Sequence, residues 1–141
     1  MRVNIDIGMN GFLPIRATAG SSGYDLRAAS GGILPAGSKL KVPLDIRLEI
    51  EPGFEMQIRT RSGLASKHEI VVLNSPGTID ADFRGEVCVI LKNLSQEDFT
   101  FERGDRVAQA VFAKVETANI HQVSMLATTE RGAGGFGSTG K

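Results

Sequence analysis

The 141-residue chain has a single cysteine, Cys88, so no internal disulfide can form and a secreted disulfide scaffold is excluded. Histidine is nearly as scarce: His68 and His121 lie far apart with no second thiol, which argues against a zinc site. Neither charge sign prevails, since Lys+Arg and Asp+Glu are both 16. A polyanion binder carries a basic excess or a basic block, so neither nucleic acid nor an anionic membrane is an expected partner. No apolar run approaches the length of a membrane span. The opening Met1-Arg2-Val3-Asn4-Ile5-Asp6 is too polar for a signal peptide. The expectation is a soluble, cytoplasmic protein. Its length fits one domain, and a chain of that length can bury about 68% of its unfolded surface, enough for a core without covalent staples.

The hydrophobic period is two residues. Leu44, Ile46, Leu48 and Ile50 alternate with Asp45, Arg47, Glu49 and Glu51, as a strand with one wet face requires. Phe54, Met56 and Ile58 repeat the pattern against Glu55, Gln57 and Arg59, and Phe99 and Phe101 begin another short run. Turn signals fall between these segments at Gly31-Gly32, Pro35-Ala36-Gly37, Pro52-Gly53, Pro76-Gly77 and Gly104-Asp105. Only Ser62 to His68 has the look of a helix. Many short strands joined by regular turns predict an all-β, jelly-roll-like barrel or sandwich with one short helix.

Two stretches break the alternation. Ile70-Val71-Val72-Leu73 and Val87-Cys88-Val89-Ile90-Leu91 are apolar on both faces, so each needs a cover on both sides. The second cover is either another sheet or another subunit. Cys88 reads as a small buried hydrophobe rather than a reactive thiol.

From Thr128 to Lys141 the chain holds five glycines, one aromatic and no hydrophobic period. Composition alone favours a disordered terminus. The functional alternative is a mobile arm whose glycines let backbone N–H groups wrap an anion. Arg131, Ser138, Thr139 and Lys141 would add donors, and Phe136 a stacking face.

Four further stretches carry glycine beside charge. Ala17 to Leu26 is a small-residue loop entering a strand, with Asp25 near its end. Arg61-Ser62-Gly63-Leu64-Ala65 places a cation, a hydroxyl and free N–H groups at the start of the helical turn. That is either a phosphate cradle or a plain cap supplied by Ser62. Gly77-Thr78-Ile79-Asp80-Ala81-Asp82-Phe83-Arg84-Gly85-Glu86 sets two carboxylates two residues apart in an expected hairpin, where solvated turn residues are the plainer alternative. Gly104-Asp105-Arg106-Val107-Ala108-Gln109 puts Arg106 and Gln109 beside a turn.

Taken together, in this order and spacing, the five segments closely resemble the five motifs of the trimeric deoxyuridine triphosphatases. The resemblance runs from about Ala17 to Lys141. Its most specific pieces are Gly77 to Glu86 and Arg131-Gly132-Ala133-Gly134-Gly135-Phe136-Gly137-Ser138-Thr139-Gly140.

The resemblance implies a homotrimer with active sites shared between subunits, a barrel over residues 1–127 and a flexible arm over 128–141 that closes on a neighbour's site. It implies hydrolysis of dUTP to dUMP and pyrophosphate, which limits uracil incorporation into DNA and supplies dUMP for dTMP synthesis. Asp80 would be the general base for water attacking the α-phosphorus. Arg61, Ser62 and Gly63 would bind phosphate, with Arg106 in support and Arg131 closing on the γ-phosphate. Mg²⁺ would be held mainly by the substrate's phosphates and by water, with Asp25 and Gln109 touching that shell. The backbone near Asn74, Gly77, Thr78 and Ile79 would read uracil, Phe136 would stack on it, and Gly137 and Ser138 would add contacts. Base-on-aromatic stacking gives ~1–3 kcal/mol.

Two positions depart from the family pattern. Phe83 stands where tyrosine is usual beneath the deoxyribose; it keeps the ring that excludes a ribose 2′-hydroxyl and loses the phenolic oxygen. Glu69 stands where a glycine often follows the Lys-His pair, which bears on turn geometry and not on chemistry. A dCTP deaminase of the same superfamily would need a glutamate near the second motif, but Ser66 follows Ala65 and no acid appears before Glu69. A nucleotide-binding module without catalysis is at odds with Asp80, Arg131 and Phe136. A capsid-like structural trimer leaves Asp80 and the glycine-rich tail without a purpose.

Overall fold

The computed structural model describes residues 1–136. Its strands are β1 (Val3–Ile7), β2 (Tyr24–Arg27), β3 (Gly32–Leu34), β4 (Lys39–Pro43), β5 (Ile46–Ile50), β6 (Phe54–Arg59), β7 (Ile70–Val72), β8 (Gly77–Ile79), β9 (Cys88–Asn93), β10 (Phe99–Phe101) and β11 (Arg106–Lys114). The single helix among the described residues, α1 (Ser62–His68), falls where the sequence predicts it. All strand pairings are antiparallel, in sheets ordered β2-β11-β6-β8, β4-β9-β7, β1-β5 and β10-β3. Their inner faces share one core, which includes Leu26, Leu34, Ile46, Met56, Ile70, Leu91 and Val107. This is the all-β, jelly-roll-like architecture expected from the two-residue period.

Alternation translates directly into burial. On β5, Ile46, Leu48 and Ile50 are buried while Arg47 and Glu49 are exposed. Leu44 is buried too, yet the strand begins only at Ile46. Asp45 has a φ of 52°, which bends the chain out of the extended path. Its carbonyl accepts the Gly8 N–H (2.8 Å) and its Oδ2 accepts the Asn10 N–H (2.9 Å), so the corner is fastened to the amino-terminal loop.

The two runs that are apolar on both faces lie side by side, because β7 pairs with β9. Ile70, Val72, Val89 and Leu91 point into the core. On the other face Val71, Cys88 and Ile90 are only half-buried and Leu73 is 48% exposed, so no second sheet among the described residues seals that face. Burial, and next the Glu86 carboxylate, push the Cys88 thiol above its ordinary range, as an inert structural cysteine requires. Asn93 is the one buried polar side chain of the described core. It donates to the carbonyls of Leu34 and Glu97 and accepts from the Ser95 N–H and hydroxyl, so its burial leaves no group unpaired.

Two local expectations are corrected. Residues 77–86 do not form a hairpin: β8 pairs with β6, and the next strand, β9, belongs to another sheet with β4 and β7. Asp80 and Asp82 therefore lie on a turn that carries the chain between sheets, closed by the Phe83 N–H on the Asp80 carbonyl (3.2 Å). Nor does Ser62 cap the helix. Arg61 holds the cap position with an extended backbone and no side-chain cap bond, and Ser62 is the first helical residue.

Candidate active site

Arg61 leaves the end of β6 in an extended conformation (φ −85°, ψ 130°), and the helix starts at once behind it. The first N–H groups of any helix lack internal partners, so those of Ser62 and Gly63 are open to a ligand. A Cβ placed on Gly63 would meet nothing within 4 Å, so no packing within this chain demands glycine there. Close approach of a group from outside would.

Asp25 on β2 gathers the cations. Its Oδ1 is 3.2 Å from Arg61 Nε and its Oδ2 is 3.3 Å from Arg106 Nη1. The carboxylate is only 16% exposed, whereas Arg106 is 47% exposed and Arg61 half-buried. One carboxylate between two guanidiniums leaves the cluster with a surplus positive charge facing solvent. Arg61 Nη1 also donates to the Arg106 carbonyl (3.0 Å), which ties the start of α1 to β11.

Gln109 lies on β11 opposite both Asp25 and Arg59. Its Nε2 donates to the Thr60 carbonyl (2.9 Å), and a Cβ on Gly23 would fall 2.2 Å from its Oε1. Gly23 is thus what lets the small-residue loop close onto Gln109. Thr60 was not singled out in the sequence, yet it fixes this corner. Its Oγ1 accepts the Val72 N–H (2.9 Å), its own N–H reaches Ser75 Oγ (3.4 Å), and its carbonyl holds Gln109. A threonine at a strand end reads as an ordinary β-former, so nothing in the sequence marked it.

A second group forms on β8 and the turn after it. Gly77, Thr78 and Ile79 pair with Ile58, Gln57 and Met56, and Asp80 follows, exposed. The Asn74 side chain folds over Gly77, where a Cβ would be 3.0 Å from Asn74 Nδ2. Arg84 Nη1 donates to the carbonyls of Ala81 (2.7 Å), Phe83 (3.0 Å) and Leu48 (3.4 Å), which clamps the Asp80 turn to β5. Phe83 remains 41% exposed.

The fold keeps the two groups apart. Asp25 stands level with Gln109 and Arg59, whereas Ile79 stands opposite Met56 and Asp80 comes one residue further along. Three strand spacings across the sheet and about four residues along it put roughly 20 Å between the backbones of Asp80 and Asp25. One phosphoryl group and its attacking water do not span that gap. After β11 ends at Lys114, residues 115–136 carry no helix or strand, and Phe136 is fully exposed. Arg131 Nε donates to the Gly134 carbonyl (2.8 Å) within the arm itself. Gly137 and Ser138 lie outside the described residues. Among the described residues no group of three or more His, Cys, Asp or Glu could hold a metal ion.

The family model described as dUTPase matches residues 10–140. The deoxyuridine 5'-triphosphate nucleotidohydrolase of Brucella melitensis biotype 2 is 54% identical over 91% of this chain and 84% of its own length. That of Caulobacter vibrioides is 49% identical over 91% and 85%. A solved structure of the Staphylococcus bacteriophage 80alpha dUTPase with dUPNHPP is 25% identical and superposes with a TM-score of 0.91 over 99% of each chain. A match that takes in all five glycine-bearing stretches, on the same fold, leaves one conclusion: the chain belongs to the dUTPase family.

Proposed function

We propose that this chain is a dUTP diphosphatase, hydrolysing dUTP to dUMP and pyrophosphate at a site built from more than one copy of itself. The observation that carries the reading is the division of the chemistry. A cationic cluster of Arg61 and Arg106 around Asp25 sits at one end of the sheet, and the exposed Asp80 sits roughly 20 Å away on the turn after β8. Neither end can complete the reaction within one chain. A closed ring of identical chains brings the Asp80 of one copy to the cluster of the next, and a homotrimer satisfies this with three equivalent sites. The half-covered face of Val71, Cys88 and Ile90 gives such a neighbour an apolar surface.

In this site the triphosphate lies against Arg61 and the open N–H groups of Ser62 and Gly63, with Arg106 adding charge. Asp80 accepts a hydrogen bond from a water and takes its proton as the oxygen attacks the α-phosphorus. The new bond is from water oxygen to phosphorus, the bond that breaks runs to the bridging oxygen, and pyrophosphate leaves with the electron pair. Its charge is held by the arginine cluster and, from the arm, by Arg131. Backbone groups at Gly77 to Ile79, with Asn74, read the uracil edge, and Phe83 lies beneath the deoxyribose. Residues 128–141 act as the arm, placing Phe136 on the base and Gly137 and Ser138 on the nucleotide.

Mg²⁺ fits as a partner of the substrate. Among the described residues no carboxylate cage awaits it; the Asp25 carboxylate and Gln109, both already tied to neighbours, would meet its water shell. Bound there, the ion supplies charge neutralisation and an ordered triphosphate. No helix of the described residues is long and apolar enough to cross a membrane, and a nucleotide substrate of the DNA-precursor pool points to the cytoplasm.

The test is pyrophosphate release from dUTP, dCTP, dTTP and UTP, with and without Mg²⁺. Turnover of dUTP alone is expected, and pyrophosphate release from dCTP in preference to dUTP, or no turnover at all, would contradict the reading. Asp80→Asn is nearly isosteric and should lower kcat by about 10²–10⁴-fold while nucleotide binding persists.

A further inference from the structure

Gly85 sits two residues beyond Phe83, and its φ is not among the positive values that favour glycine. No backbone reason demands glycine at this position. Packing does. A Cβ on Gly85 would stand 2.5 Å from Phe83 Cζ and 2.8 Å from its Cε2, closer than real Cβ contacts come. The phenyl ring rests on the bare backbone of Gly85, at a depth that any larger residue forbids.

The backbone around the ring is held fast. Arg84 Nη1 binds the carbonyls of Ala81 and Phe83 and reaches Leu48 on β5, so the turn is fastened on both sides of Phe83. The ring tip, by contrast, is the far end of a side chain still 41% exposed. Under an added methyl group the ring must give way, and the peptide stays where it is. Relief from 2.5 Å to an ordinary contact moves it outward by about 1 Å.

We infer that Gly85 is a positioning residue for sugar recognition: it sets the depth of the Phe83 ring and hence the floor of the deoxyribose pocket. The inference rests on the reading of Phe83 as the sugar-facing wall, and it adds opposite signs for two substitutions. Phe83→Ala lowers the floor and admits a 2′-hydroxyl. Gly85→Ala raises the floor, which crowds the deoxyribose and leaves UTP still rejected.

Steady-state kinetics of Gly85→Ala, Phe83→Ala and the double variant, with dUTP and UTP, test this. Gly85→Ala should raise the KM for dUTP about ten-fold with kcat little changed, since a displacement near 1 Å is enough to cost that much in fit. The double variant should match Phe83→Ala alone, because without the ring the methyl has nothing to push. An unchanged KM in Gly85→Ala, or an equal loss in the parent and Phe83→Ala backgrounds, overturns the inference. If Gly85→Ala fails to fold, the ring has not given way as the inference requires, and that result overturns it whether or not the double variant folds. A dUTP-to-UTP preference unmoved by Phe83→Ala instead overturns the sugar-wall assignment itself.

Discussion

Glu69 ends α1 in the left-handed region, with φ 55° and ψ 29°, and its N–H closes the last turn on the Ala65 carbonyl (3.2 Å). Glycine favours this position because a Cβ in the left-handed region crowds the carbonyl that follows it, at about 1–2 kcal/mol. The glutamate side chain is exposed and makes no hydrogen bond among the described residues that offsets this. Glu69→Gly should therefore raise stability by about 1 kcal/mol, read as a higher denaturation midpoint at matched protein concentration; an unchanged or lower midpoint would show that the strain is relieved elsewhere. The departure is legible only against the family pattern, where a glycine often follows the Lys-His pair, and that pattern does not give the angle Glu69 adopts. Chemistry was the more legible part. Asp25, Arg61, Asp80 and Gln109 are legible through the family resemblance of their motifs, whereas Gly23 and Gly85 matter only through the side chain that lies on them. A contact between a bare backbone and a ring two residues away leaves no trace in periodicity.

Thr60 joins three elements that the motifs treat as separate. It links the end of β6 to β7 through Val72, to the loop at Ser75 and to β11 through Gln109, and Arg61 follows directly. Thr60→Val keeps the shape and removes the acceptor, leaving the part-buried Val72 N–H unpaired at a cost of about 1–3 kcal/mol. Arg61 would lose part of its anchoring, so the KM for dUTP should rise several-fold, while Thr60→Ser, which retains the oxygen, should behave as the parent does; equal KM values for the valine and serine variants would detach Thr60 from the site. The strands themselves were largely legible. Alternation located β5 and β6 and the inward faces of both, because a period of two encodes which face is wet. It does not encode which strand lies alongside. Pro52-Gly53 marks a turn between β5 and β6, yet β5 pairs with β1 while β6 pairs with β11 and β8. The same limit produced the expected hairpin at 77–86, where turn residues and an apolar run looked like adjacent strands and in fact bridge two sheets.

The proposed assembly follows from what one chain leaves undone. The arginine cluster around Asp25 and the exposed Asp80 are held apart, and one face of the β7–β9 pair is half-covered. Past Lys114, Ile120, Met125 and Leu126 stand more than four-fifths exposed, as does Phe136. In the sequence the two-sided apolar strands leave a second sheet and a second subunit equally open, and the tail's composition favours disorder, so the need for neighbours is legible only through the family resemblance. Two inactive variants address it together: Asp80→Asn, which lacks the proton acceptor, and a chain without residues 130–141, which lacks Arg131 and Phe136. Each should fold and form trimers, since neither change touches the core. Combined under conditions that exchange subunits, with mixed trimers confirmed by native mass, they should regain dUTP turnover, because some sites then pair an intact Asp80 with an intact arm from another copy. Mixed trimers that stay as inactive as either parent would contradict a site shared between chains.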